Sequence, residues 1–168
     1  SAAEQHLSLL DPDQGELMGH WYFAYGSNMN PDRMRSRGLS FSESLSGQLA
    51  GYELCFNKRA HDRPGTAYAN IRYRQGAVVE GVIYRLEGGD EIFKMDPFEG
   101  TPVLYSRERM PILTAQGVLP GWVYIANPAW RSEGLRPTRA YLEHLLAGRE
   151  YLSQDYWQAL AATLVHPD

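Results

Sequence analysis

The chain has 168 residues, 43% of them hydrophobic, a net charge of −4 and a single cysteine. That length fits one domain with a sizeable core, the negative balance argues against nucleic acid or an anionic membrane as partner, and a lone Cys55 excludes an internal disulfide framework. No apolar run reaches the roughly 18 residues that span a bilayer, residues 1–14 carry no secretory pattern, and a cytoplasmic location is the expectation.

Residues 1–19 show little periodicity beyond an apolar patch at 7–10 and read as a lead-in arm. Trp21-Tyr22-Phe23-Ala24-Tyr25 is an aromatic, strand-forming run that stops abruptly at Gly26-Ser27-Asn28. Such a change of period marks a buried strand meeting a corner. Gly26 has no Cβ, so a ligand can approach the main chain there and φ angles closed to other residues become accessible. The amides of Gly26, Ser27 and Asn28 could converge on an anion or a developing oxyanion; the plainer reading is a core strand followed by a turn. Asn30-Pro31 then opens a short helix that stops near Gly38. Arg33, Arg35 and Arg37 form the most basic cluster and read as a solvated face.

Residues 45–59 read as a strand pair or bent strand, with bends at Gly47 and Gly51 and Cys55 as a buried structural thiol. Residues 58–65 are polar and end in Pro64-Gly65, which marks a loop. Residues 66–74 and 77–86 read as strands joined by a hairpin at Gln75-Gly76. Asp90 is expected to cap a short helix over 91–95 that Pro97 interrupts. Two more strands follow at 103–112 and 121–125. Tyr141, Leu142, Leu145 and Leu146 set a helical stripe that starts from Pro137 and ends at Gly148. Ser153 caps a last helix that carries Tyr156, Trp157, Leu160 and Leu164. Many strands, few helices and no βαβ alternation predict an α+β fold: a small curled or closed mixed β-barrel with flanking helices. It would form one domain over 1–168, with C-terminal helices within 137–165.

Chemistry-bearing motifs are few. The five histidines are scattered, without zinc-ligand spacing. No phosphate loop occurs, and Met29 stands where a nucleophile elbow around Ser27 would need glycine. Carboxylates are left: Asp96-Pro97-Phe98-Glu99-Gly100 sets two acids around an expected helix break, beside Phe93, Met95 and Phe98. A carboxylate against apolar surface loses hydration, its pKa rises, and it becomes a base suited to neutral pH. The alternative is that Asp96 braces a turn and Glu99 is a surface acid.

Tyr25-Gly26-Ser27-Asn28, followed by Asp96-Pro97-Phe98-Glu99-Gly100, resembles the paired signature of the gamma-glutamylcyclotransferase (AIG2-like) family. The resemblance runs over residues 22–160. Tyr105 follows the acid segment at short spacing, and Pro137-Thr138-Arg139-Ala140-Tyr141 is similar to the opening of the family's late helix. Asn28 stands where glutathione-specific relatives typically carry Leu, which disfavours that branch. The resemblance implies a reaction in which the substrate's own α-amine attacks its γ-glutamyl carbonyl, releasing 5-oxoproline and an amine or amino acid. Glu99 would be the general acid/base, with no cofactor and no metal. Tyr22, Phe23, Ala24, Tyr25, Gly26, Ser27, Asn28, Tyr105 and Tyr141 would bind the substrate, the loop holding either its α-carboxylate or the oxyanion. Trp122, Tyr124 and Trp130 would shape the leaving-group side or serve as core aromatics. The implied partner is a small gamma-glutamyl compound, and the implied assembly is a homodimer. Two further readings stay open: a non-catalytic module that binds carboxylates on the same scaffold, and a Glu-dependent amidohydrolase that releases glutamate.

Overall fold

The aromatic run after Gly19 becomes β1 (His20–Ala24), and Trp21, Tyr22, Phe23 and Ala24 are all buried in it. A strand buried so completely needs partners on both edges. β1 pairs antiparallel with β3 (Ala67–Leu86), Phe23 opposite Ile83, and parallel with β5 (Gly117–Ala126). With β2 (Phe41–Arg59) and β4 (Tyr105–Thr114) the order β1-β3-β2-β4-β5 closes a mixed barrel. This computed structural model describes residues 19–167, so the expected arm lies, but for Gly19, outside the described residues.

Phe23, Ile83, Ile112 and Val123 fill the barrel with no exposed surface. The Phe23 ring fits because its neighbours are small: a Cβ on Gly81 would lie 2.3 Å from the Ala24 carbonyl oxygen and 2.9 Å from Phe23 Cζ. α1 (Pro31–Ser36), α2 (Glu91–Glu99), α3 (Arg139–Leu146) and α4 (Gln154–Ala161) flank the barrel. Asn30, Thr138 and Ser153 cap α1, α3 and α4 by accepting from backbone amides two or three residues on. None of the described helices is long and apolar enough to cross a membrane.

Four expectations need correction. No hairpin forms at Gln75-Gly76: β3 runs through it, paired with β2 along both halves. Gly51 (φ +83°) and Gly76 (φ +84°) lie within the register shift between the pairs Ala50–Val78 and Tyr52–Tyr73, so the glycines bend a long ribbon without reversing it. α2 is not interrupted at Pro97 but continues to Glu99, and it ends where Gly100 takes φ +63°. Asp90 makes no side-chain cap. Finally, Lys58 and Arg59 belong to β2, so the connecting loop starts only after them.

Candidate active site

The corner after β1 is a single 3-10 turn over Ser27–Met29, closed by the Met29 amide donating to the Gly26 carbonyl at 3.0 Å. The amides that open such a turn have no partner inside it and are available to a ligand. Gly26 has φ −112°, so its lack of a side chain serves space and not a left-handed backbone. A Cβ there would lie 3.3 Å from both Ala69 Cβ and the Tyr141 hydroxyl. Asn28 is 3% exposed and fully engaged: its Nδ2 donates to the Tyr22 hydroxyl at 3.0 Å, and its Oδ1 accepts from Arg37 at 3.1 Å. Its carbonyl accepts from the Tyr84 hydroxyl at 2.6 Å. Asn28 therefore holds the corner in shape.

Across from the corner, α2 ends on Glu99. Ile92 and Met95 bury one face of this helix. Asp96 then ties it to the barrel: Arg107 Nε and NH2 donate to its two oxygens at 2.8 and 3.2 Å, and the Tyr124 hydroxyl donates at 2.7 Å. Arg107 also stacks on Trp122, its guanidinium carbon 4.3 Å from the ring centre.

Corner and helix end meet in a cavity of about 220 Å³. Glu99, Tyr22, Phe23, Tyr25, Gly26, Ser27, Asn28, Tyr105 and Tyr141 all line it. Ala24 does not: it is 1% exposed in the barrel wall, opposite Val82 in β3. Ala24 shares a face with Tyr22 two residues before it, but its lone methyl does not extend to the cavity as that ring does. Tyr124 reaches the cavity too, whereas Trp122 packs between Arg107 and Arg109 outside its lining. Trp130 packs against Lys58 and Arg59.

Arg33, Arg37, Lys58, His61 and Tyr68 also line the cavity, and sequence reasoning missed them. The arginine cluster divides. Arg35 is exposed and pairs with Asp32, while Arg33 bonds Ser27 Oγ at 3.1 Å and Arg37 bonds Asn28. The i, i+4 spacing of Arg33 and Arg37, which puts both on one side of α1, was the available signal. Lys58 offered none, because a register shift between Cys55 and Lys58 reverses the strand's alternation there. Cys55 itself is a structural thiol: it is partly buried, donates to the Asn70 carbonyl, and burial pushes its pKa up to about 11.

The electrostatics follow from this lining. Burial pushes the Glu99 carboxyl up to about 7; Arg37, Lys58 and Arg33 pull it back, and Asp96 adds a small push upward. Among the described residues nothing hydrogen-bonds Glu99, so both oxygens are open to a reacting proton. Burial also keeps the tyrosine hydroxyls protonated, each shifted above its ordinary range. Their protons are already sorted. Tyr25 donates to the Tyr124 carbonyl and Tyr105 to the Ala69 carbonyl at 2.8 Å, leaving oxygen lone pairs for a cationic group. Tyr141 accepts from the Ala69 amide at 2.9 Å and Tyr22 accepts from Asn28, leaving each a proton for an anionic group. One cavity thus offers acceptors, donors, fixed cations and a carboxylate near neutrality.

Comparison with known proteins bears on this arrangement. The family model described as gamma-glutamyl cyclotransferase, AIG2-like, matches residues 22–149. Among curated proteins none matches the chain. A solved structure called gamma-glutamyl cyclotransferase superposes with a TM-score of 0.75 at 19% identity, covering 89% of this chain and 90% of its own. A human protein described as uncharacterized gives 0.76 at 22% identity, with the same coverage of both chains. A yeast gamma-glutamyl cyclotransferase specific to glutathione gives 0.61 at 14%, covering 84% of this chain and 93% of its own. At such identities these likenesses are of fold, and the five-stranded barrel with its flanking helices is the fold they share. The family match spans the corner after β1, the end of α2 and the start of α3, and with it the chain belongs to the gamma-glutamyl cyclotransferase, AIG2-like family.

Proposed function

We propose that this protein is a gamma-glutamylcyclotransferase that converts a gamma-glutamyl amide into 5-oxoproline and a free amine or amino acid, with Glu99 as the acid/base group. The observation that carries this reading is Glu99 itself: an unpaired carboxyl raised to about 7, facing the same cavity as the corner after β1. Nucleophile and electrophile sit in one substrate, so the protein needs no covalent nucleophile, only to fold the chain into its reactive conformer and to move protons.

Glu99 takes a proton from the substrate's α-ammonium, and the amine attacks the γ-carbonyl carbon, whose π electrons pass to oxygen. As the C–N bond to the leaving group breaks, Glu99 gives its proton to the departing nitrogen. The second proton of the ring nitrogen follows the same route, so the leaving amine departs as an ammonium and Glu99 ends as a carboxylate. Lone pairs on Tyr25 and Tyr105 suit the α-ammonium, while the free protons of Tyr22 and Tyr141, with Arg33 and the amides of Ser27 and Asn28, suit the α-carboxylate or the oxyanion. The test is product identity: purified protein is incubated with gamma-glutamyl amides, and 5-oxoproline and glutamate are both quantified. 5-oxoproline supports the reading. Glutamate alone would make the protein a hydrolase.

A further inference from the structure

Lys58 is the least expected member of the cavity wall. It is 2% exposed, near the end of β2 and opposite Tyr68 of β3. Its ammonium lies among three rings, 5.2 Å from the centre of Tyr68 and 5.9 Å from those of Tyr105 and Trp130. Lysines are almost never buried this far unless paired, yet among the described residues no carboxylate comes within ion-pair distance and none of its three N–H groups meets an acceptor. Asp62 and Glu99 act on it only at longer range, and burial prevails over both, pulling its pKa down. Ring faces compensate a desolvated ammonium only in part. A buried cation that opens on a cavity with its donors unspent is a site for an anion.

The position of the other cations indicates which anion. Arg33 and Arg37 stand on the side of the corner and are engaged there, Arg33 with Ser27 and His144, Arg37 with Asn28 and the Phe98 ring. They and the corner amides match the one carboxylate that every gamma-glutamyl group carries. Lys58, on β2, is surplus to that need. The substrate's remaining portion is its leaving group, and a second fixed positive charge calls for a negative one there. A polyamine leaving group would meet like charge from Lys58 and from Arg59 beside it, whose guanidinium stacks on the same Trp130 ring.

We propose that Lys58 is a specificity-determining residue that pairs with a carboxylate on the departing amine, selecting gamma-glutamyl derivatives of α-amino acids over gamma-glutamyl alkylamines. This rests on the cyclotransferase reading above.

The test compares gamma-glutamyl-alanine with gamma-glutamyl-ethylamine, which differ by that carboxylate alone, in wild type, Lys58→Met and Lys58→Arg. A charge-assisted contact predicts a wild-type preference of about 10- to 100-fold in kcat/KM for the alanine compound. Lys58→Met brings the ratio close to one, mainly through KM, and Lys58→Arg retains much of it. A wild-type ratio near one overturns the proposal, as does a ratio that survives Lys58→Met. Equal losses on both substrates, with a displaced pH profile, would show that Lys58 acts only through Glu99, and overturn it too. If Lys58→Met fails to fold, the wild-type ratio and Lys58→Arg still decide. Absence of 5-oxoproline from both substrates with wild type would instead bring down the cyclotransferase reading, and this inference with it.

Discussion

Asp96 and Arg107 are joined side by side, Nε to Oδ1 at 2.8 Å and NH2 to Oδ2 at 3.2 Å, and this pair fixes the helix that ends on Glu99. Both side chains are largely buried, 20% and 17% exposed, so the pair is well shielded from water. Asp96→Asn leaves Arg107 without its countercharge and lowers stability by about 2 kcal/mol, a fall of about 4–8 °C in Tm. As a positioning residue, Asp96 acts on catalysis through Glu99, and the two effects can be separated. Its charge pushes the Glu99 carboxyl up, so in Asp96→Asn the acid limb of the pH profile moves to lower pH while kcat falls. A drop in Tm with kcat and pH profile unchanged would reduce Asp96 to a fold-stabilising role.

The pH dependence of the wild type follows from the same carboxyl. Glu99 must be ionised to accept a proton, so kcat/KM rises with pH through about 7 and falls about tenfold per unit below it. Arg37 exerts the largest opposing pull, so Arg37→Met raises the Glu99 pKa and moves the acid limb to higher pH. A wild-type limb near the ordinary carboxylate range would contradict the assignment.

Gly26→Ala tests the corner. The added methyl would crowd Ala69 Cβ and the Tyr141 hydroxyl, each 3.3 Å away, and at φ −112° the backbone does not forbid a side chain. The expected result is a folded protein whose kcat/KM is down about tenfold through displacement of Tyr141, with KM raised. An unchanged KM would separate the corner from substrate binding.

The parts of this fold legible in the sequence were those in which one local signal had one physical meaning. The aromatic run of β1 could only be a buried strand, and Ser153 stands where α4 begins. The misreadings came where a residue type serves two geometries. A glycine at φ +84° suits a hairpin turn and a bulge equally, and at Gly76 the strand only bends. Proline ends many helices, yet α2 passes through Pro97 without its N–H bond to the carbonyl four residues back and stops only two residues later. At the site, Glu99 and the 25–28 corner were visible as motifs. Lys58 was not, because its inward aim depends on a register shift that only the paired strand defines.

The measurement that bears most directly on the account is 5-oxoproline formation by Glu99→Gln, followed together with its thermal unfolding at pH 5 and pH 8. In the wild type an acid with a raised folded-state pKa loses stability as pH rises from about 4.5 through about 7. Replacing it with a neutral isostere removes that loss, so Glu99→Gln should unfold no lower than wild type at pH 5 and higher at pH 8. With the fold so assured, turnover should fall by about a thousandfold or more. A folded Glu99→Gln that still forms 5-oxoproline at a rate near the wild type's would contradict the claim that Glu99 moves the proton.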